Sequence, residues 1–287
     1  MISNRRALLR AGLGFTAACA SLGDSMAAPE QAHSSDDPVL GGAFDRDPHV
    51  RAAAASDFGH ILHKEPRAVV RPASIGDIGS LMRWAADRGI NVAARGQGHS
   101  TYGRAMTENG VVIDMRAIST VHAVEHDRVI VGAGATWRDV LDATLAHGLT
   151  PPVLTNYLGL SVGGTIAIGG IGGSSSRWGM QTDHVLELDV VTGDGRELTC
   201  SATASPDLFD AVRAGLGQCG IVTRAVMRLV RAPDRVRRFQ LFYRDLTSLT
   251  AAAAGDTSWK APYSMPTVPR PTTARYFPRY RMTDARR

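Results

Sequence analysis

Two glycine-rich segments about sixty residues apart constrain the fold of this chain more than any other feature. The first, GQGHS at residues 96–100, follows the apolar run 90–94, and the second, LSVGGTIAIGGIGGSSSRWG, occupies residues 160–179. Glycines at the end of a strand let backbone N–H groups approach a phosphate. The apolar residues Val162, Ile166, Ile168 and Ile171 distinguish the second segment from a polar linker and suit a core. Together the segments predict one extended cofactor beside His99.

Helical and strand patterns alternate along residues 66–233 without a repeating βαβ unit, which favours an α+β fold over a doubly wound sheet. Helices are predicted at 74–88 with Ser74 as N-cap, at 137–147, and from Ser205 and Pro206 onward with Ser205 as cap. Strands are predicted at 68–70, 90–94, 111–114, 121–125, 129–132, 185–192, 196–200 and 221–229.

A Rossmann nucleotide-binding fold fits the motifs less well. GQGHS lacks the third glycine of the dinucleotide motif at the required spacing. The nearest acidic candidate for the ribose, Asp114, lies sixteen residues after Gly98 instead of about twenty. That fold would also leave the second glycine segment without a role.

Six motifs in a fixed order make residues 66–233 resemble a known family: ARGQGHS, VVIDM, VGAGATWRDVLDATLAHGLTPPVL, YLGLSVGGTIAIGGIGG, DHVLELDVVTGDGRELTC and LFDAVRAGLGQCGIVTRAVMRL. They resemble the PCMH-type FAD-binding domain of the vanillyl-alcohol oxidase superfamily, and most of all that of cytokinin dehydrogenases. The resemblance implies a two-subdomain α+β fold that holds FAD. On this basis residues 35–65 are a lead-in and residues 66–234 the FAD-binding domain.

The resemblance also implies which residues serve the cofactor. His99 is expected to bond covalently to the 8α-methyl group of the flavin, as a neutral imidazole nitrogen is a nucleophile. No cysteine occurs in residues 150–173, so the second covalent link of some relatives is not expected, and Cys200 and Cys219 are interpreted as buried thiols. The expected FAD contacts are Arg95, Gly96, Gln97, Gly98, His99, Ser100, Arg104, Ser161, Gly163, Gly164, Thr165, Ala167, Gly170, Ile171 and Ile221.

Two positions depart from the family pattern. Asn156 in TNYL takes the place of an aspartate that accepts the substrate's proton in amine-oxidising relatives. An amide can orient an N–H donor but cannot accept a proton near neutral pH, which argues against cytokinin oxidation. Arg104 stands where glutamine is more usual, and either a phosphate contact or a solvent-facing side chain fits it.

The ends of the chain differ in composition from its middle. Arg5 and Arg6 precede the apolar stretch 7–22, which resembles a twin-arginine export signal over residues 1–34 and predicts a periplasmic or secreted protein. That stretch is too short for a stable membrane span. Residues 235–287 are rich in Pro, Arg and Thr, and are interpreted as a remnant of the family's substrate domain followed by a disordered basic tail.

Charge and histidine spacing narrow the range of partners. The net charge of +5 arises in the C-terminal tail, whereas residues 35–230 carry an acidic excess, so no nucleic-acid partner is expected. His122 and His126 have helical ligand spacing but lie in strand-like sequence, so no metal site is expected.

Two function classes remain. One is an FAD-dependent oxidoreductase that takes hydride from a small amine or alcohol, with an unidentified electron acceptor. The other is a truncated, non-catalytic flavin-binding module.

Overall fold

The computed structural model describes residues 36–235 and 243–255. Its strands are β1 Ala43–Asp45, β2 Ala68–Arg71, β3 Val92–Arg95, β4 Val111–Asp114, β5 Val121–Val124, β6 Arg128–Gly132, β7 Leu149–Thr150, β8 Val185–Val191, β9 Glu197–Ser201, β10 Ile221–Arg228 and β11 Val230–Arg231. Its α-helices are α1 Pro48–Ala54, α2 Ile75–Asp87, α3 Trp137–Leu145, α4 Val162–Ile166, α5 Ser175–Trp178, α6 Pro206–Val212 and α7 Leu246–Gly255. The predicted export signal lies outside the described residues.

The first sheet has the strand order β1-β2-β4-β3. Strands β2 and β3 both pair parallel to β4, and β1 pairs antiparallel to β2. Strand β4 is buried along its whole length because helices cover both faces. Val69 and Val112 pack with Ala54 of α1, whereas Val70 and Ile113 join the main core, which also contains the buried side chains of α2.

The second sheet is antiparallel and has the order β5-β6-β10-β8-β9. Helix α3 packs against β5 and β6, α4 against β10, and α6 against β9. Buried residues of both sheets belong to one continuous hydrophobic cluster. The α+β fold predicted from the sequence is therefore confirmed, with one subdomain around each sheet. No helix among the described residues is long and apolar enough to cross a membrane.

Side-chain caps begin helices α2 and α3 but not α6. The Ser74 side chain accepts a hydrogen bond from the Asp77 N–H and begins α2, as predicted. Thr136 and Asp139 form a capping box at the start of α3. Helix α6 begins at Pro206, but Ser205 does not cap it, because Ser205 adopts a left-handed conformation with φ of 51° and its side chain makes no capping bond.

Several packing predictions need correction. Val162 and Ile166 are buried, but Ile168 and Ile171 are 55% and 67% exposed, because they lie in the loop that follows α4 and face away from the core. Cys219 is exposed rather than buried, since it lies in the surface turn before β10, while Cys200 is buried as expected. Helix α7, Leu246–Gly255, lies within residues 235–287, which were predicted to be a domain remnant and a disordered tail, and residues 256–287 lie outside the description.

The Asp77 side chain bonds the lead-in to the first subdomain. These bonds predict that the stability of the protein falls at acid pH. Its carboxylate accepts hydrogen bonds from the N–H groups of Gly41, Gly42 and Ala73 at 2.8–3.0 Å. Burial alone would raise the pKa of Asp77, but these donors hold that pKa below its usual value. The stabilisation is therefore complete above the unfolded carboxyl pKa of about 4 and is lost as the pH falls through the folded pKa.

We expect Asp77→Asn to lower the melting temperature by a few degrees at pH 7, because the amide nitrogen cannot accept these bonds. The difference should shrink as the pH falls from about 4 towards the lower folded pKa, at which Asp77 of the folded wild type becomes protonated. Thermal unfolding of both proteins between pH 3 and pH 7 measures this, and a difference independent of pH would contradict it.

Candidate cofactor site

The GQGHS loop begins where β3 ends at Arg95. Gly98 has a φ of +74°, and a Cβ atom there would lie 2.6 Å from Nη2 of Arg95. At Gly96, a Cβ atom would lie 2.1 Å from Oγ of Ser161. Glycine at both positions therefore allows the backbone to turn sharply and to approach a neighbouring segment closely.

The two predicted glycine segments meet at this contact. Ser161 is the N-cap residue of α4, so Gly96 lies directly against the start of the second segment. Gly163 packs on Ala133, where a Cβ atom would come within 2.7 Å of the alanine Cβ. Gly164 is exposed beside Ser161, with no side chain to cover the helix start. Tertiary structure thus brings the two segments into direct contact.

The loop also presents hydrogen-bond donors. Within the described ranges, no acceptor pairs with the backbone N–H groups of Gln97, Gly98, His99 or Ser100. Consecutive free N–H groups of this kind form a concave anion site suited to a phosphate. Gln181 adds a buried carbonyl oxygen, Oε1, that lacks a hydrogen-bond partner in the described structure. Such unpaired groups are typical of a site completed by a ligand.

His99 lies between two aromatic rings. Its ring stacks on Phe58 with a centroid separation of 4.4 Å and an interplanar angle of 23°. The centroid of the Tyr157 ring lies 5.0 Å from that of His99, at an interplanar angle of 34°. Burial lowers the pKa of His99 below its usual value, which keeps the imidazole neutral and nucleophilic at neutral pH. Sequence reasoning missed both aromatic residues, although Tyr157 belongs to the TNYL string.

The remaining predicted residues occupy different environments. Arg95 is half-buried and donates to the carbonyl oxygen of Ser56. Arg104 is exposed and forms no ion pair within the part of the chain that the structure describes. The hydroxyl group of Thr165 is already used inside the core, where it accepts a bond from Trp137 and donates to the carbonyl of Val162.

The other predicted positions lie along the second subdomain. Asn156 is exposed and immediately precedes Tyr157. Ala167 is half-buried, and its carbonyl accepts the N–H of Leu216. Gly170 has a φ of +68° and lies against Gln181, while Ile171 is exposed. Ile221 is buried at the start of β10.

Two features of this site fit FAD. The free N–H groups of residues 97–100 suit a pyrophosphate, and the glycine contacts leave backbone rather than side chains at the surface. Asp114, the acidic residue of the rejected Rossmann alternative, is instead paired with Arg116 at 2.6 Å and caps a 3₁₀ turn.

Comparison with known proteins gives the same assignment. Residues 66–201 match the family model described as FAD binding domain. The chain is 48% identical to an uncharacterized oxidoreductase of the fasciation locus of Rhodococcoides fascians, over 70% of this chain and 45% of that protein. It is 47% identical to cytokinin dehydrogenase 7 of Oryza sativa subsp. japonica, over 69% of this chain and 40% of that protein.

A solved structure shares the fold. The crystal structure of 6-hydroxy-D-nicotine oxidase from Arthrobacter nicotinovorans superposes with a TM-score of 0.63 at 26% identity, over 69% of this chain and 44% of that chain. The present chain thus spans less than half the length of each relative named here. Residues 66–201 of this protein thus match the FAD binding domain family, and over about 70% of its length the chain is similar to a cytokinin dehydrogenase and to an oxidoreductase.

Proposed function

We propose that this protein is an FAD-dependent oxidoreductase that takes hydride from a small amine or alcohol and holds its flavin covalently through His99. The observation that carries the proposal is the position of His99, a neutral imidazole on the loop where the two glycine segments meet. When bound, the flavin supplies the hydride acceptor. The relatives named above, which include an oxidoreductase and a dehydrogenase, support this reaction class.

The chain's own residues have three tasks in this proposal. Backbone N–H groups of residues 97–100 bind the anionic part of the cofactor. Phe58 and Tyr157 shield the His99 ring from water. Asn156 orients a substrate donor through its amide oxygen but leaves the proton to another acceptor.

We also propose that the protein is exported in folded form, on the basis of Arg5, Arg6 and the apolar stretch 7–22.

The test uses the full 287-residue chain, purified and precipitated with acid. Yellow colour that stays with the pellet supports a covalent flavin, and colour that is fully released contradicts it. The native protein is then mixed without oxygen with a panel of small amines and alcohols. Loss of the flavin absorbance with any member supports the oxidoreductase, whereas a bound flavin that no member reduces supports the non-catalytic module.

Asn156→Asp tests the missing proton acceptor. A carboxylate at this exposed position can accept the proton of a substrate amine, so we expect the rate of flavin reduction by amines to rise by about 10²–10⁴-fold. Stopped-flow absorbance measures that rate. Asn156→Ser, which also lacks a base, serves as the matched control. Equal amine reduction rates in the wild type and both variants would show that position 156 is not where the proton is accepted.

A further inference from the structure

Residues 56–62 form a segment that is hydrogen-bonded to the GQGHS loop and to residues on either side of it. This segment precedes the residues matched by the family model. The Phe58 N–H donates to the carbonyl of Ser100 at 3.1 Å. The Tyr102 N–H donates to Oδ2 of Asp57 at 2.8 Å, and Nη2 of Arg95 donates to the carbonyl of Ser56 at 3.1 Å. Three hydrogen bonds thus connect this segment to both sides of the histidine loop.

Asp57 holds the segment in shape. Its side chain is buried, and Oδ1 accepts hydrogen bonds from the N–H groups of Ile61 and Leu62 at 2.8 and 3.3 Å. Burial would raise the pKa of Asp57, but these donors and the Tyr102 N–H hold it below its usual value. The carboxylate therefore stays charged and keeps its three donors at neutral pH.

The phenyl ring of Phe58 is placed by these backbone bonds rather than by the core. It is 57% exposed and lies stacked on the imidazole of His99. The second ring beside His99, that of Tyr157, lies against Gly159, where a Cβ atom would come within 2.6 Å of the ring. An aromatic ring held in an exposed position beside a nucleophile is suited to orient that nucleophile.

We propose that Phe58 is a positioning residue for attachment of the flavin, holding the His99 ring in the orientation that forms the bond. This inference rests on the proposed function. The new N–C bond replaces one C–H bond of the 8α-methyl group and the N–H bond of the imidazole. Two electrons pass to the flavin and then to dioxygen, and two protons are released and taken up in the resulting hydrogen peroxide. Phe58, a residue of the lead-in, is thereby part of the cofactor site.

The experiment follows acid-stable flavin over time after FAD is added to the flavin-free full chain. We expect Phe58→Ala to slow attachment by about 10–100-fold, as misplacement of a reacting group does. Phe58→Tyr keeps the ring and should attach flavin at the wild-type rate. Ile61→Ala, which removes another exposed side chain of the same segment, serves as the matched control and should also match the wild type.

A second readout needs no flavin. In the flavin-free protein, the NMR titration of His99 should shift upward toward the ordinary histidine range in Phe58→Ala, because the ring becomes more exposed to water. Phe58→Leu keeps apolar volume without a ring and replaces the alanine variant if that variant does not fold. Wild-type attachment speed in both ring-less variants would overturn the positioning role. Wild-type flavin that acid releases completely would instead overturn the proposed covalent link.

Discussion

Replacing Trp137 with alanine is expected to lower the free energy of unfolding by about 3–5 kcal/mol. Trp137 opens α3, is 0% exposed, and is among the largest fully buried side chains. Its Nε1 also donates to Oγ1 of Thr165 at 2.8 Å, which fixes α4 within the second glycine segment. Alanine leaves a large cavity and deprives the buried oxygen of the Thr165 hydroxyl group of its N–H donor. Urea unfolding of the full chain measures the loss.

Trp137→Phe separates these two contributions. Phenylalanine keeps most of the buried volume but loses the N–H donor, so we expect a smaller cost of about 1–3 kcal/mol. Because Thr165 lies in α4, both variants should also weaken FAD binding, in the same order as their stability losses. Trp178→Ala, at a half-buried position, serves as the control for loss of a tryptophan. Equal stability of Trp137→Ala and the wild type would show that α3 does not anchor the second subdomain.

Replacing His99 with alanine is expected to reduce acid-stable flavin to background. The imidazole lies on the loop where the glycine segments meet, and alanine has no nucleophile to replace it. Free N–H groups at residues 97, 98 and 100 remain, so the variant should still bind FAD, with colour released by acid. Absorbance of pellet and supernatant after precipitation measures both outcomes. His126→Ala, at an exposed position in the second subdomain, is the matched control. Acid-stable flavin in His99→Ala would mean that another residue forms the link.

Local chemistry explains which parts of the structure were predictable. Ser74, the glycine turn after β3 and the helix beginning at Trp137 depend on residues within a few positions of one another, and the structure confirms them. Ile168 and Ile171 were misjudged because an apolar side chain suits a protein core and an exposed surface for an apolar ligand equally well. Phe58 was missed because its stacking on His99 depends on hydrogen bonds between segments about forty residues apart.

The sequence by itself determined the alternation of helices and strands, the α+β class and the two glycine segments, the first of which contains His99, because periodicity, capping and glycine conformations are short-range properties. Only the tertiary structure decided that Gly96 contacts Ser161 and that the hydroxyl of Thr165 lies in the core. It also decided that two aromatic rings lie within 5.0 Å of the His99 ring. Those contacts join residues distant in the chain, and their geometry is set by packing of the whole subdomain rather than by any local pattern.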